Sequence, residues 1–311
     1  MRSPACTTTR RAPAMVEHLE SRQHLSADVP VSLPGTVFDG TWGGPTPDRF
    51  DSGFLWAAPH LFSPEPGVMD YSEWRVRNIA AWAREGGMNW RTDVGTPKKF
   101  VVIDVERMDH TSPPAWIAQV RDVVTWFKDE APNVAIGLYG FTPHEAFWWR
   151  DLYSAPTEAR TRSIREGFAA VRPVFERIDA IVQDVYMLGP DRINADLAYM
   201  RGFAWHAREQ YPHLPVVAWT WGAYHEAWNP AGSVLGNNVA RRYVSTAWQN
   251  YDAIVAWGTH SDNARWKGVL ATLKNWRVNV DYSLHRSPSL VQVFPSETTI
   301  YRLNVWAEVL R

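Results

Sequence analysis

The stretch Phe100-Val101-Val102-Ile103-Asp104-Val105-Glu106-Arg107 is an apolar run that ends in two carboxylates two residues apart. Side chains alternate along a strand, so a strand here puts Asp104 and Glu106 on one face at its C-terminal end. Two negative charges held this close raise the pKa of at least one of them. One acid can then stay protonated to donate a proton while its neighbour remains an anion. A plainer reading stands beside this one, in which Asp104 caps a helix, or the pair is half of a structural ion pair with Arg107.

Other apolar runs end in polar and aromatic residues as well. Trp56 and His60, Tyr139, Asp184 and Tyr186, Trp219 with Trp221 and Tyr224, and Trp257 with Asp262 all follow or close such runs. Acids flanked by tyrosine and tryptophan suit a sugar: carboxylates move protons, phenols hydrogen-bond an amide or hydroxyl, and indoles form stacking walls. They suit phosphate chemistry poorly, because the chain has no Gly-rich phosphate loop, Walker signature or dinucleotide fingerprint.

The elements that must position these residues alternate along the chain. Strands are expected at 54–58, 88–94 (the weakest), 100–105, 134–139, 180–186, 216–221 and 253–257. Helical periods lie between them at 72–86, 114–130, 156–177, 191–211, 236–250 and 262–276. The expected fold is α/β: a single TIM-like (β/α) barrel of seven parallel strands, whose mouth would gather the strand ends. The expected organisation is an export leader or disordered segment at 1–30, a catalytic barrel at 31–280, and a C-terminal extension packed on the barrel at 281–311. Trp82, Trp126, Trp205 and Trp276 fall in helical periods and are expected to fill the helix–sheet interface.

Composition narrows the function further. A formal net charge of -1 gives no global field to draw in nucleic acid. No apolar run approaches the roughly 20 residues that span a bilayer. The single cysteine, Cys6, leaves the body without thiol chemistry. His110, His144, His225 and His260 lie near strand ends but show no metal-ligand spacing, so no metal and no cofactor is expected. Eighteen tryptophans exceed what a core of this size needs, and several stand beside polar residues.

Ile103-Asp104-Val105-Glu106-Arg107 resembles the Asp-x-Glu signature of the hyaluronidase family of glycoside hydrolases. Further segments follow in the family's order: Phe54-Leu55-Trp56-Ala57-Ala58-Pro59, similar to its first strand, then Gly137-Leu138-Tyr139-Gly140-Phe141, Val185-Tyr186, and Trp257-Gly258-Thr259-His260-Ser261-Asp262. The resemblance covers about residues 53–280. It implies a distorted barrel of seven parallel strands and a retaining hydrolysis in which the substrate's own 2-acetamido oxygen is the nucleophile. Glu106 would be the general acid and base, Asp104 would stabilise the acetamido group, and Tyr186 would hydrogen-bond it. Trp257 would wall its pocket, and Tyr139, Trp219, Trp221, Tyr224, Trp56 and Asp262 would line the groove. The implied partner is a glycosaminoglycan of the hyaluronan or chondroitin type.

The chain also departs from the family. Met108-Asp109-His110 replaces the usual aromatic continuation after the acids, and Trp219, Trp221 and Tyr224 stand where the family has tyrosines. A lysozyme-like muramidase, a polysaccharide lyase and a catalytically silent sugar-binding barrel are the alternatives. Leu19-Glu20-Ser21-Arg22-Gln23-His24-Leu25-Ser26-Ala27 resembles the L-E-x-R-x-L-L-S-A export leader of planctomycete-type bacteria, with His24 for the usual first leucine, which implies an extracytoplasmic protein.

Overall fold

A computed structural model describes residues 36–42, 54–57, 72–85, 100–108, 110–144, 150–154, 157–225, 233–259 and 267; at 36–42, 54–57, 106–108 and 258–259 it describes the backbone. The strands are β1 (Thr36–Trp42), β2 (Phe54–Ala57), β3 (Phe100–Met108), β4 (Ala135–Phe141), β5 (Ala180–Asp184), β6 (Val216–Trp221) and β7 (Ala253–Thr259). The helices are α1 (Glu73–Glu85), α2 (Pro114–Glu130), α3 (Arg150–Ser154), α4 (Glu158–Phe175), α5 (Ile193–Gln210) and α6 (Asn237–Asn250). Strands β3 to β7 form a parallel half-barrel in chain order, and the ladder continues to β2 at one edge and β1 at the other.

The long helices bury apolar stripes at helical spacing. In α1 the stripe is Val76, Ala80 and Ala83, in α2 Val120, Val123, Val124 and Phe127, and in α4 Ile164, Phe168, Val171 and Phe175. These stripes meet one face of the sheet, formed by Val101, Ile103, Val105, Ile136, Leu138, Ile181, Ala218, Ile254 and Ala256. The alternate residues, Phe100, Val102, Ala135, Ala180, Val182, Val217, Ala253 and Val255, make a second cluster on the other, inner face. Burial of one such large apolar side chain is worth about 1.5–3 kcal/mol, so the two clusters hold the strands in register from both sides. A one-residue slip in any strand would exchange the faces.

The strand starts are stapled by a repeated device. Asp179-Ala180-Ile181-Val182 and Asp252-Ala253-Ile254-Val255 enter β5 and β7 with the same four residues. The Asp179 amide donates to the Ile136 carbonyl at 2.9 Å, and the Asp179 carboxylate accepts from the Ile136 amide at 2.8 Å. The Asp252 amide donates to the Val216 carbonyl at 2.8 Å, and its carboxylate accepts from the Val216 amide at 2.9 Å. A cation from the helix before the neighbouring strand closes each staple: Lys128 on Asp179 at 2.8 Å and Arg208 on Asp252 at 3.2 Å.

Two expectations change, the first strand and Trp82. The first described strand is Thr36–Trp42, ahead of 54–57, and its Asp39-Gly40 breaks the apolar run that marks the other strands. The strand expected at 88–94 and the helix expected at 262–276 lie outside the described residues, apart from Lys267, which is helical. Trp82 is 38% exposed, because Ala80 and Ala83 take the inward positions of its helix and turn it to solvent. Trp126 does pack against the helix-side core, and Trp205 is half-buried against His206. Trp276 lies outside the described residues.

Candidate functional site

The inner face changes character along the strands. Its apolar cluster gives way, at the C-terminal ends, to Asp104 on β3, Tyr139 on β4, Asp184 on β5, Trp219 and Trp221 on β6, and Trp257 on β7. All six continue the parity of the inward-facing residues on their own strands. Register brings them level: Asp104 lies opposite Tyr139, Asp184 opposite Trp219, and Trp221 opposite Trp257. Asp104 and Asp184 are buried there, each with 3% of its surface exposed.

The β3–β4 ladder is regular only as far as the Asp104–Tyr139 pair. It resumes at Met108 opposite Phe141, so four steps along β3 span two along β4. Gly140, in the shorter segment, has φ 74°, a left-handed conformation that a side chain would strain. Glu106 falls inside this bulge. The backbone register between Asp104 and Met108 is therefore irregular at the position of Glu106. Bulges of this kind re-aim residues at the rims of barrels and beside active sites.

Two phenols bridge the gap between β4 and β5, whose ladder spans only Gly137–Ala180 and Leu138–Ile181. The Tyr139 hydroxyl donates to the Tyr186 hydroxyl at 3.3 Å. Burial raises the Tyr186 hydroxyl well above the ordinary tyrosine range; the bond from Tyr139 opposes this, and the charges of Asp184 and Asp104 add to it. Tyr139 is raised by burial, by Tyr186, and by the same two carboxylates. Both phenols therefore stay protonated and can donate. Indoles wall the cluster: Trp219 lies 4.9 Å from Tyr139 and 5.0 Å from Trp257 between ring centroids, and Trp221 lies 6.0 Å from Tyr186 at an edge-on angle.

The structure thus brings together Asp104, Tyr139, Tyr186, Trp219, Trp221 and Trp257. Glu106 follows two residues beyond Asp104 on the backbone, and Trp56 lies in β2 opposite Val102, in the tier below. Tyr224 does not join the cluster. It is buried in the helix-side core, where burial and the charge of Asp196 raise its hydroxyl, and its backbone bridges to Met187. Asp262 lies outside the described residues.

His225, next to Tyr224, stands out in the sequence only as a histidine near a strand end, and sequence reasoning misses its place in the cluster. Its ring stacks on Tyr186 at 5.4 Å and 29°, and meets Trp221 edge-on at 6.1 Å. Gln183 is a second omission: its side-chain amide donates to the Asp184 carboxylate at 2.7 Å. No spacing in the sequence points to either. Among the described residues, no three His, Cys, Asp or Glu side chains converge as a metal-binding set. No described helix is long and apolar enough to cross a membrane.

A cluster of this composition can hold a polar, ring-shaped ligand. The indole faces take its C–H surface, the Tyr186 hydroxyl, which accepts from Tyr139, donates its own proton to an acceptor oxygen, and the carboxylates balance positive charge that develops on it.

No family model matches the chain, and no curated protein matches it. Among solved structures it is similar to bee venom hyaluronidase in complex with a hyaluronic acid tetramer, at 11% identity and a TM-score of 0.46, covering 85% of this chain and 91% of that one. A monoclinic crystal form of bee venom hyaluronidase gives 13% identity and a TM-score of 0.47, covering 73% and 87%. A Cellulomonas fimi endo-beta-1,4-mannanase double mutant gives 11% identity and a TM-score of 0.37, covering 72% and 66%.

Proposed function

We propose that this protein is a glycoside hydrolase that cleaves N-acetylhexosaminidic bonds of a glycosaminoglycan by a retaining, substrate-assisted reaction. The observation that carries the reading is the rim of the inner face, where buried Asp104 lies in register with Tyr139, whose hydroxyl meets that of Tyr186 at 3.3 Å between walls of tryptophan. An aromatic pocket with acids and protonated phenols matches the needs of an acetamido sugar better than those of a phosphate or a nucleotide.

In this reading Glu106 protonates the glycosidic oxygen as the bond to the anomeric carbon breaks. The substrate's acetamido oxygen attacks that carbon from the other face and forms a cyclic intermediate. Asp104 holds the amide and balances the positive charge that builds on it, while Tyr186 donates to the acetamido oxygen. Glu106, now an anion, takes a proton from water as the water opens the ring, so the product keeps its configuration. A side-chain nucleophile would instead need a second carboxyl about 5–5.5 Å across the sugar from the acid. Trp257, Trp219 and Trp221 wall the sugar, and Trp56 and Asp262 extend the groove. Closure of the sheet into a full seven-stranded barrel, with the strands at 36–42 and 54–57 meeting, belongs to the same proposal, as do the leader at 1–30, the extension at 281–311 and an extracytoplasmic location.

The experiment is reducing-end release from hyaluronan, chondroitin, chondroitin sulfate and peptidoglycan, with ultraviolet absorbance followed in the same tubes and proton NMR of the first product formed. Hydrolysis of a glycosaminoglycan with retained anomeric configuration and no new absorbance is expected. New absorbance from an unsaturated uronate would make the enzyme a lyase, and activity confined to peptidoglycan would make it a muramidase.

A further inference from the structure

Behind the rim lies a buried charged network that the proposed reaction does not use. Arg150 and Asp196 are 1% and 0% exposed, and pair through Nη1 and Oδ1 at 2.9 Å. A buried pair of this kind is weak as a source of stability, because desolvation of both ions consumes most of their attraction. Its other bonds tell more. The same Arg150 Nη1 donates to the backbone carbonyl of Tyr186 at 2.8 Å, and the second carboxylate oxygen of Asp196 accepts from the Leu188 amide at 2.8 Å. The pair therefore grips the turn that carries Tyr186 at two points, from α3 and from α5.

The network continues to the neighbouring rim residue. The Arg150 guanidinium lies over the Tyr199 ring at 4.7 Å. Gln183 bonds the Tyr199 hydroxyl, and from the same nitrogen donates to the Asp184 carboxylate at 2.7 Å. The five-residue helix α3, which interrupts the simple strand–helix alternation between β4 and α4, delivers Arg150 to this place. It can approach α5 closely only because position 202 is glycine: a Cβ there would lie 2.2 Å from the Tyr153 carbonyl oxygen.

We propose that Arg150 and Asp196 are positioning residues, a buried clamp that sets the Tyr186 hydroxyl at the height where it meets Tyr139 and the substrate. The proposal rests on the reading of Tyr186 as a substrate-contacting group. The clamp bonds the Tyr186 carbonyl directly and reaches Asp184 only through Tyr199 and Gln183, so its removal costs little further once the Tyr186 hydroxyl is gone.

The test is a double-mutant cycle of Arg150→Met and Tyr186→Phe, read as kcat and KM, with thermal midpoints recorded to show that each variant folds. Arg150→Met is expected to lower kcat roughly 10–100-fold with KM nearly unchanged, since a misplacement of about 1 Å can cost 10²-fold. In the Tyr186→Phe background the same change should lower kcat less than about 3-fold, and Arg150→Lys should recover part of the loss. Full additivity of the two losses overturns the proposal. Should Arg150→Met fail to fold, Gly202→Ala, which pushes α3 off α5, takes its place in the cycle.

A readout free of turnover separates this proposal from the glycosidase reading. With 3-fluorotyrosine at position 186, the ¹⁹F resonance should shift in Arg150→Met and Gly202→Ala relative to wild type. A moved resonance supports the clamp even if wild type hydrolyses none of the glycans. An unmoved resonance overturns it even if wild type hydrolyses one.

Discussion

At the N-terminal end of the strands, Asp179 and Asp252 each accept a backbone amide from the neighbouring strand and a helix cation, Lys128 or Arg208. At the C-terminal end, Asp104 and Asp184 stand among Tyr139, Tyr186 and Trp219, and their charges bear on two phenols, the buried Tyr186 and the half-buried Tyr139. One residue type serves two ends of one sheet with different neighbours. Acids matched to backbone amides and cations hold strands in place, whereas acids set beside phenols and indoles place negative charge on the inner rim. The comparison shows why a carboxylate at a strand end is informative only together with what faces it.

The largest difference between the ends should appear when each acid is neutralised. Asp104→Asn is expected to lower kcat by roughly 10²–10³-fold with the thermal midpoint nearly unchanged, as measured by steady-state kinetics beside calorimetry. Asp252→Ala should do the reverse. Loss of a charged acceptor for the Val216 amide and for Arg208 should cost about 1.5–3 kcal/mol in urea unfolding, with turnover per folded molecule unchanged. Equal effects of the two changes on stability and turnover would erase the distinction.

The phenols sharpen the comparison through pH. Tyr139 and Tyr186 have native pKa values raised above 10, so above that pH the unfolded chain has given up protons that the native one retains. Stability is therefore full below about pH 10 and falls as pH rises beyond it. Absorbance at 295 nm should show these phenolates appearing only with unfolding, and Tyr186→Phe should move the alkaline midpoint upward. The smallest effect belongs to the surface: Arg162→Ala breaks a 3.4 Å pair with Glu158 whose side chains are 69% and 92% exposed, and should leave the urea midpoint unchanged.

Much of the frame was legible in the sequence because apolar runs and helical periods report burial directly. Strands β3 to β7 and helices α1, α2, α4, α5 and α6 are of this kind, and so are the inward aromatic residues at the ends of β4, β6 and β7. The strand Thr36–Trp42 was not, because Asp39 and Gly40 interrupt its run. The bulge after Asp104 was hidden because alternation is a rule for regular ladders, and the irregularity arises from how β4 pairs with β3. Arg150 and Asp196 are 46 residues apart, and nothing local ties a five-residue helix to the turn after β5. His225 joins the cluster through Tyr186 and Trp221, contacts that tertiary structure makes and local sequence does not announce.

The most direct measurement is turnover and ligand affinity of Glu106→Gln in parallel, on whichever glycan the wild type cleaves. The account predicts a kcat lower by roughly 10²–10⁴-fold with the dissociation constant for the same oligosaccharide within about 3-fold of wild type, because the acid acts on the bond being broken while tryptophans and phenols hold the ring. Wild-type turnover in Glu106→Gln would contradict the central claim that the acids of this rim carry the chemistry.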